Sequence, residues 1–398
     1  MPSDASQTPL GHALDEGVAE VAGPAFTPTE AGASILLGLL ALLISGLMGL
    51  LLADLAQAGR LSAQGIGLTA MLEALSTGLV TGAAGIVLKP VRLRTIAVIA
   101  ATVLVCLDLA TTRASGTEVM AVRALAGLPE GVLLWISIGF ISRTATPERW
   151  AAILFTGMGL TQLAVATGLS AFVLPRFGAN GGYVAVAVAA ALAIPVALFL
   201  PHALGAVTEG SGETAGPPPL RGWVALFGTL CMAASLTAVS VYIIPFAVQA
   251  GLSVPVGRTA ISFGLACQMA GGALATVLAG RVRYITVFWL CAAAFGSTWT
   301  AYALHSPAWL FIAMTGVSGL AMFIAGPFLV PMTIDADPSR RAAMQSGAVQ
   351  LLAGAFGPLL ASLAVSDKNV HGALVLAAAL QALGLAVATA LHRTAKKA

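Results

Sequence analysis

Twelve apolar runs, each long enough to cross a bilayer, follow one another along the chain. They fall at roughly 33–56, 65–88, 95–112, 117–141, 150–174, 181–202, 222–249, 257–280, 284–304, 307–332, 341–365 and 369–391. A spanning helix needs about 20 apolar residues. Inside the hydrocarbon every backbone polar group must be satisfied by the segment itself, which leaves helices or closed barrels. Barrel strands are about ten residues long and alternate strictly; these runs are longer and dominated by Ala and Leu. Only 9% of residues are charged and 58% are hydrophobic, against about 25% charged in a soluble domain. So few charges cannot cover a water-facing surface, and so apolar a chain is not a disordered one. The chain reads as an all-α membrane protein with twelve transmembrane helices.

The Lys and Arg residues set the orientation, because cytoplasmic loops collect them. With the N-terminus inside, thirteen fall in cytoplasmic segments, five in outer loops and one, Arg123, within a run. This places both termini in the cytoplasm of a cell whose inner membrane holds the protein. Residues 1–32 contain five acids and no Lys or Arg, the reverse of a signal peptide's first segment, and read as a disordered acidic tail. The longest break, 203–221, carries Gly-Ser-Gly-Glu and Pro217-Pro218-Pro219 and reads as a cytoplasmic linker. It separates an N-terminal six-helix bundle, 33–202, from a C-terminal one, 222–391, with a basic tail at 392–398. The halves echo each other. Pro147-Glu-Arg149-Trp-Ala151-Ala152 and Pro338-Ser-Arg340-Arg-Ala342-Ala343 lie 191 residues apart, as do Arg92 and Arg283. Two matches at one offset point to an internal duplication of the kind secondary transporters show.

Cys106, Cys231, Cys267 and Cys291 all fall in apolar runs without a CxxC pair and read as small buried hydrophobes. No histidine is in mid-run and none pairs at ligand spacing, so no metal site and no cofactor are expected. No phosphate loop, nucleotide motif or Ser-His-Asp order occurs, and the loops are too short to hold a nucleotide-binding domain.

One loop and one run resemble those of the major facilitator superfamily. The loop after the second run, Gly85-Ile-Val-Leu-Lys89-Pro90-Val-Arg92-Leu-Arg94, is similar to the family's G-x-x-x-D-R/K-x-G-R/K-R/K. It keeps the basic character, with Lys89 in place of the Asp and Arg92 in place of the second Gly. The fourth run's Val119-Met-Ala-Val-Arg123-Ala-Leu-Ala-Gly127 is similar to L-x-x-x-R-x-x-x-G. The Gly-Pro that ends the fifth-helix motif of the family's drug–proton antiporters is missing, and Gly357-Pro358 sits in the eleventh run instead. The resemblance implies two six-helix bundles rocking about a central cavity, a monomer, and gating roles for Arg92 and Arg94, with Arg281 and Arg283 in the equivalent loop.

Charges within spans are costly, by about 2.5–3.5 kcal/mol each on insertion scales, and call for a partner, a cavity or a function. They are unequally shared: Glu73, Asp108, Arg123 and Glu130 lie in the first half, with Asp54 at the end of the first run. The second half holds only amides and hydroxyls well inside its runs. Ion coupling therefore belongs to the N-terminal half. Arg123 and Glu130, seven apart, share one helix face, which the resemblance turns toward the cavity. Glu130 is the expected proton carrier, with Arg123 modulating it or pairing with Asp54 or Asp108, and with Glu73 as a further candidate. Asp54 reads as a solvated helix-end acid. Trp135, Gln162, Tyr242, Gln268 and Phe323 are the candidate substrate contacts, although for the two glutamines an interhelical bond is the stronger expectation. Trp289, Trp299 and Trp309 read as interfacial anchors, and Pro245, Pro327 and Pro331 break the backbone ladder of their runs, where bends are expected.

The expected activity is proton-coupled secondary transport of a small organic solute, with uptake favoured by the missing Gly-Pro. The alternative is a proton-driven multidrug or metabolite efflux antiporter. A membrane-embedded enzyme lacks a catalytic pair, and a sensor or scaffold lacks an added soluble domain. The expected partners are solute, protons and the lipid bilayer, with no nucleic acid.

Overall fold

The computed structural model describes residues 26–144, 147–204, 217–278, 280–304, 306–338 and 341–395. It is helical over 84% of its residues. In chain order the elements are α1 (Pro28–Ala41), α2 (Leu43–Gln57), α3 (Ala63–Val87), α4 (Leu93–Thr111), α5 (Thr117–Ile141) and α6 (Pro147–Gly168). A π-helical turn (Leu169–Val173) joins α6 to α7 (Leu174–Ala191), followed by α8 (Ala193–Ala197). Then come α9 (Leu220–Ser240), α10 (Ile243–Gln249), α11 (Val254–Leu278), α12 (Tyr284–Ala303), α13 (Ala308–Ala336), α14 (Arg341–Ala364) and α15 (Gly372–Ala395).

Ten helical stretches among the described residues are long and apolar enough to cross a membrane. One of them, Arg149–Ala197, is 49 residues long and takes in both the fifth and sixth runs. It bends at the π turn and at Gly178, whose φ of 58° is open to glycine. The ninth run, α12, is absent from the ten because its Trp, Tyr and Thr residues dilute its hydropathy. Most of the expected acidic tail lies outside the described residues. The helix begins at Pro28 rather than at 33, because Thr27 and Glu30 form a capping box that satisfies the first amides. Residues 205–216 of the expected linker also lie outside the described residues, and α9 starts at Leu220. At the other end α15 continues through Arg393 to Ala395, into the expected basic tail.

The 191-residue repeat reappears in the elements. The starts of α3, α4 and α5 at Ala63, Leu93 and Thr117 are matched by those of α11, α12 and α13 at Val254, Tyr284 and Ala308. The packing repeats too, with α3 on α5 in one half and α11 on α13 in the other. Across the halves α3 packs on α14, α6 on α11 and α2 on α10.

Pro245 breaks its run as expected. A proline at 245 has no N–H for the carbonyl of Val241, and α9 gives way to α10 at Val241 and Tyr242. Pro327 and Pro331 sit inside α13, which continues past both. The first run is broken at Leu42, where the sequence carries no breaker. There Gln162 of α6 donates its Nε2 to the Leu42 carbonyl at 2.9 Å, and a side chain inserted into the ladder is a recognised cause of a kink. Among the cysteines, Cys231 and Cys291 are buried, Cys267 is partly covered and Cys106 is exposed on α4.

The two ends of the molecule differ. At the end bearing Asp54 one apolar core takes in both halves, from Leu47 and Leu51 to Phe246, Tyr302 and Leu374. At the end bearing Arg143 the first half has a core of its own, with Leu93, Phe140 and Leu200, while the second half packs separately, through Tyr284, Met332 and Ala388 of the shared core and the small cluster of Ala225, Ala336 and Leu391. The halves are thus sealed together at the Asp54 end, and a cavity of about 330 Å³ lies between them.

Candidate functional site

The site begins with two glycines. Gly127 and Gly131 of α5 lie so close to α3 that a Cβ on Gly127 would stand 2.5 Å from the Glu73 carbonyl oxygen, and one on Gly131 would stand 2.6 Å from that of Thr77. Small residues four apart let two helix backbones approach. This approach brings Arg123, one turn before Gly127, against Glu73 of α3.

Arg123 is wholly buried and meets all three intramembrane acids of its half. Its Nε donates to Glu73 Oε2 at 2.9 Å, and its Nη2 also donates to Glu73 Oε1, a fork-on-fork pair. Nη1 donates to Asp108 Oδ1 of α4 at 2.6 Å, and Nη2 reaches Glu130 Oε1 at 3.4 Å. The Thr77 hydroxyl donates to the other Glu130 oxygen at 3.1 Å. Tyr183 of α7 lies under the guanidinium, with its ring centroid 5.5 Å from Cζ, within the range of a cation–π contact. All four charged side chains are at most 3% exposed, and Asp108 Oδ2 is buried without a hydrogen-bond partner. Fully ionised, the cluster sets three negative charges against one positive in a low-dielectric interior, where uncompensated charge is expensive.

The expectation that these groups face the central cavity does not hold in this conformation. No residue of α5 lines the cavity, because the Arg123 face of α5 is packed onto α3. Ala74, next to Glu73 in α3, does line it, so one turn of α3 touches both places. Asp54 is also placed differently from its expectation. It is buried, and it takes Arg258 of α11 rather than Arg123 or solvent, at 2.6 and 2.8 Å. This pair crosses the halves at the sealed end. Beside it Asp367 accepts from the Ala63 N–H at 2.7 Å, and the Tyr242 hydroxyl donates to the Ala63 carbonyl at 3.1 Å.

Of the five expected substrate contacts, Gln162, Gln268 and Phe323 line the cavity. Tyr242 is buried beside it, with its hydroxyl committed to Ala63. Trp135 is packed in the N-terminal core, away from the cavity. Gln162 makes the interhelical bond expected of it; Gln268 makes no hydrogen bond among the described residues. Trp299, expected at the membrane interface, is buried and lines the cavity, whereas Trp289 and Trp309 are exposed. The cavity also has Ser45, Met48 and Met158 from the first half and Thr237, Tyr302, Thr315, Ser318 and Met322 from the second. No charged side chain lines it among the described residues. The sequence does not single out Tyr183, Tyr302 or Arg258 as site residues, and it places Trp299 at the interface rather than at the cavity. For Tyr183 a signal existed, since it is the only tyrosine of the first half. Trp299 stands 191 residues after Asp108.

The four loop arginines stand apart from both places. Arg94 donates to the Leu200 carbonyl at 2.8 Å, tying the start of α4 to the end of α8. Arg92 holds a left-handed backbone, φ 56°, as the N-cap of α4. Arg283 is the N-cap of α12, and Arg281, just past α11, donates to the Val277 carbonyl in the last turn of that helix at 3.2 Å. No group of three or more His, Cys, Asp or Glu residues able to hold a metal occurs among the described residues.

No protein-family model and no curated protein sequence matches the chain. Solved structures do. The nucleoside transporter NupG superposes with a TM-score of 0.71 at 12% identity, covering 92% of this chain and 99% of that one. A D-xylose–proton symporter gives 0.69 at 14% identity, covering 91% and 96%. A bacterial homologue of the human lysosomal transporter Spinster, captured inward-facing and unoccupied, gives 0.59 at 12% identity, covering 94% and 96%. At such identities it is the fold that is shared, over nearly the whole of each chain. Together with the repeat in helix starts and the seam of α3 on α14 and α6 on α11, the likeness identifies the chain as having the fold of the major facilitator superfamily.

Proposed function

We propose that the protein is a proton-coupled secondary active transporter of a small organic solute, working by alternating access. In this reading twelve spans form two six-helix bundles that rock about the central cavity, with both termini in the cytoplasm, the protein acting as a monomer in the inner membrane. The observation that carries it is the buried cluster of Glu73, Asp108 and Glu130 around Arg123. Three carboxyls sharing one guanidinium reach neutrality only when two hold protons, and such a site exchanges protons as its access changes. Glu130, the most loosely held of the three at 3.4 Å, is the carrier. Support for solute movement also comes from two fold neighbours, a nucleoside transporter and a D-xylose–proton symporter, and for proton drive from the second of them. A membrane potential adds about 2.3 kcal/mol per charge per 100 mV to such coupling.

The test is solute-driven proton flux in proteoliposomes containing a pH-sensitive dye, with uncharged and cationic solutes offered from either side. The wild type should move protons with solute, and Glu130→Gln should keep solute binding and lose proton movement. Solute flux without protons in the wild type would end the coupled reading. Undiminished proton flux in Glu130→Gln would transfer the role to Glu73 or Asp108. The efflux alternative draws support from Met48, Met158 and Met322 in the cavity, since methionine adapts to varied ligands. Protons moving against the solute rather than with it would favour that reading.

A further inference from the structure

We infer that the solute of the central cavity is an uncharged aromatic or heteroaromatic molecule bearing an amide-type hydrogen-bonding edge. The inference rests on the transporter reading and names its substrate class. The internal repeat carries the argument. The positions 191 residues after Glu73 and Asp108 are Gly264 and Trp299, and both line the cavity, while Glu73 and Asp108 do not. The duplication has therefore left an ionic cluster in one half and an apolar, aromatic wall at the same places in the other. The first half holds the charges behind α3; the second half holds most of the solute cavity.

Among the described residues a charged solute finds no counterion there. Arg123 is shared among three carboxylates, and Arg258 is paired with Asp54. Stripping water from an ion without a partner costs several kcal/mol. The hydrogen-bonding groups that remain are neutral. Gln162 commits its amide nitrogen to Leu42 and Ser45, which leaves Oε1 to accept. Gln268 of α11 and Ser318 of α13 make no hydrogen bond among the described residues, and both are half-buried at the cavity. A free carboxamide pairs best with another amide-type edge, one donor beside one acceptor. Trp299, Phe323 and Met322 supply ring and thioether surfaces, which favour a flat, polarisable partner. The volume of about 330 Å³ lies at the small end of the range for ligand pockets, about 300–1,000 Å³.

The experiment uses shape-matched triads that differ in charge: benzamide, benzoate and benzamidine, and the corresponding 2-naphthyl compounds. Thermal unfolding of the purified full-length protein in detergent reports binding, since a ligand of the folded state raises the midpoint. An amide should stabilise the protein, and its acid and amidine should need at least about tenfold more for the same shift. Gln268→Leu should erase the amide's advantage, and Gln268→Glu should transfer it to the amidine. Because Gln268 makes no hydrogen bond among the described residues, both variants should fold, and their unliganded midpoints check this. Equal or better stabilisation by the charged members, no stabilisation by either amide, or an unaltered ranking in both variants would overturn the inference. Binding is read here without a proton gradient. A failed flux experiment leaves this result standing, and a charged-solute preference here leaves proton coupling to be judged by its own assay.

Discussion

Arg123 is the residue on which the first half turns. Removing one partner of a buried ionic group typically costs about 3–5 kcal/mol, because the remaining charge is left uncompensated. Arg123→Leu leaves three buried acids facing one another, and its loss of stability in detergent should be of that order at neutral pH. The sign of the pH effect follows from the chemistry: as pH falls the acids take up protons, the uncompensated charge disappears, and the gap between variant and wild type should close. A gap that is negligible, or that stays constant across pH, would mean that the three acids do not depend on Arg123. The importance of Arg123 was legible in the sequence, since an arginine in an apolar run has few explanations. Its set of partners was less so. The sequence points to Asp54 or Asp108 as its partner and to Glu73 only as a further proton site, whereas Glu73 makes the fork and Asp54, otherwise expected to be solvated, is paired elsewhere. Its partner Arg258 lies 204 residues away, and nothing local to either residue announces the pairing.

At the scale of elements, close helix approach carries the site. A Cβ at Gly127 would run into Ser76 Oγ and stand 2.5 Å from the Glu73 carbonyl. The second contact is backbone, so α5 must move away from α3. Gly127→Ala should cost about 1–3 kcal/mol as overpacking does, and should also weaken the Arg123–Glu73 fork. Gly78 of α3 has nothing within 4 Å of a Cβ, and there the same change should gain up to about 1 kcal/mol of helix propensity. Thermal midpoints of the two variants, taken side by side, test the contrast; equal midpoints would mean that α5 does not rest on α3 as tightly as the geometry requires. Helix breaks show where sequence reading works at this scale. Pro245 removes a hydrogen bond by its own chemistry, so its break at Val241 could be read locally. The break at Leu42 depends on a side chain from α6, 120 residues away, and only the folded chain reveals it.

For the whole molecule, the asymmetry between the two ends is the main structural result. One core joins the halves at the Asp54 end and the halves pack separately at the Arg143 end, so the conformation is closed at the first. The ion pair of Asp54 and Arg258, the Asp367 contact to Ala63 and the Tyr242 contact to Ala63 are the hydrogen bonds that cross the halves among the described residues, and all lie at this end. Alternating access requires them to break together. If the ion pair holds this end shut, weakening it shifts the population toward a state open there, and each 1.4 kcal/mol removed from the closed state changes the ratio about tenfold. Spin labels at Gln57→Cys and Lys368→Cys, exposed positions on opposite halves that line the vestibule at this end, would report the separation in a background without native cysteines. Asp54→Asn should add a population at longer distance, and so should Arg258→Gln. The exchanged pair, Asp54→Arg with Arg258→Asp, should restore the short distance, because the contact is then remade with its charges reversed. Unchanged distances in both single variants would show that the shared apolar core alone closes this end. Long distances that persist in the exchanged pair would show that the orientation of the pair within the surrounding core, and not its charge alone, sets the closed state.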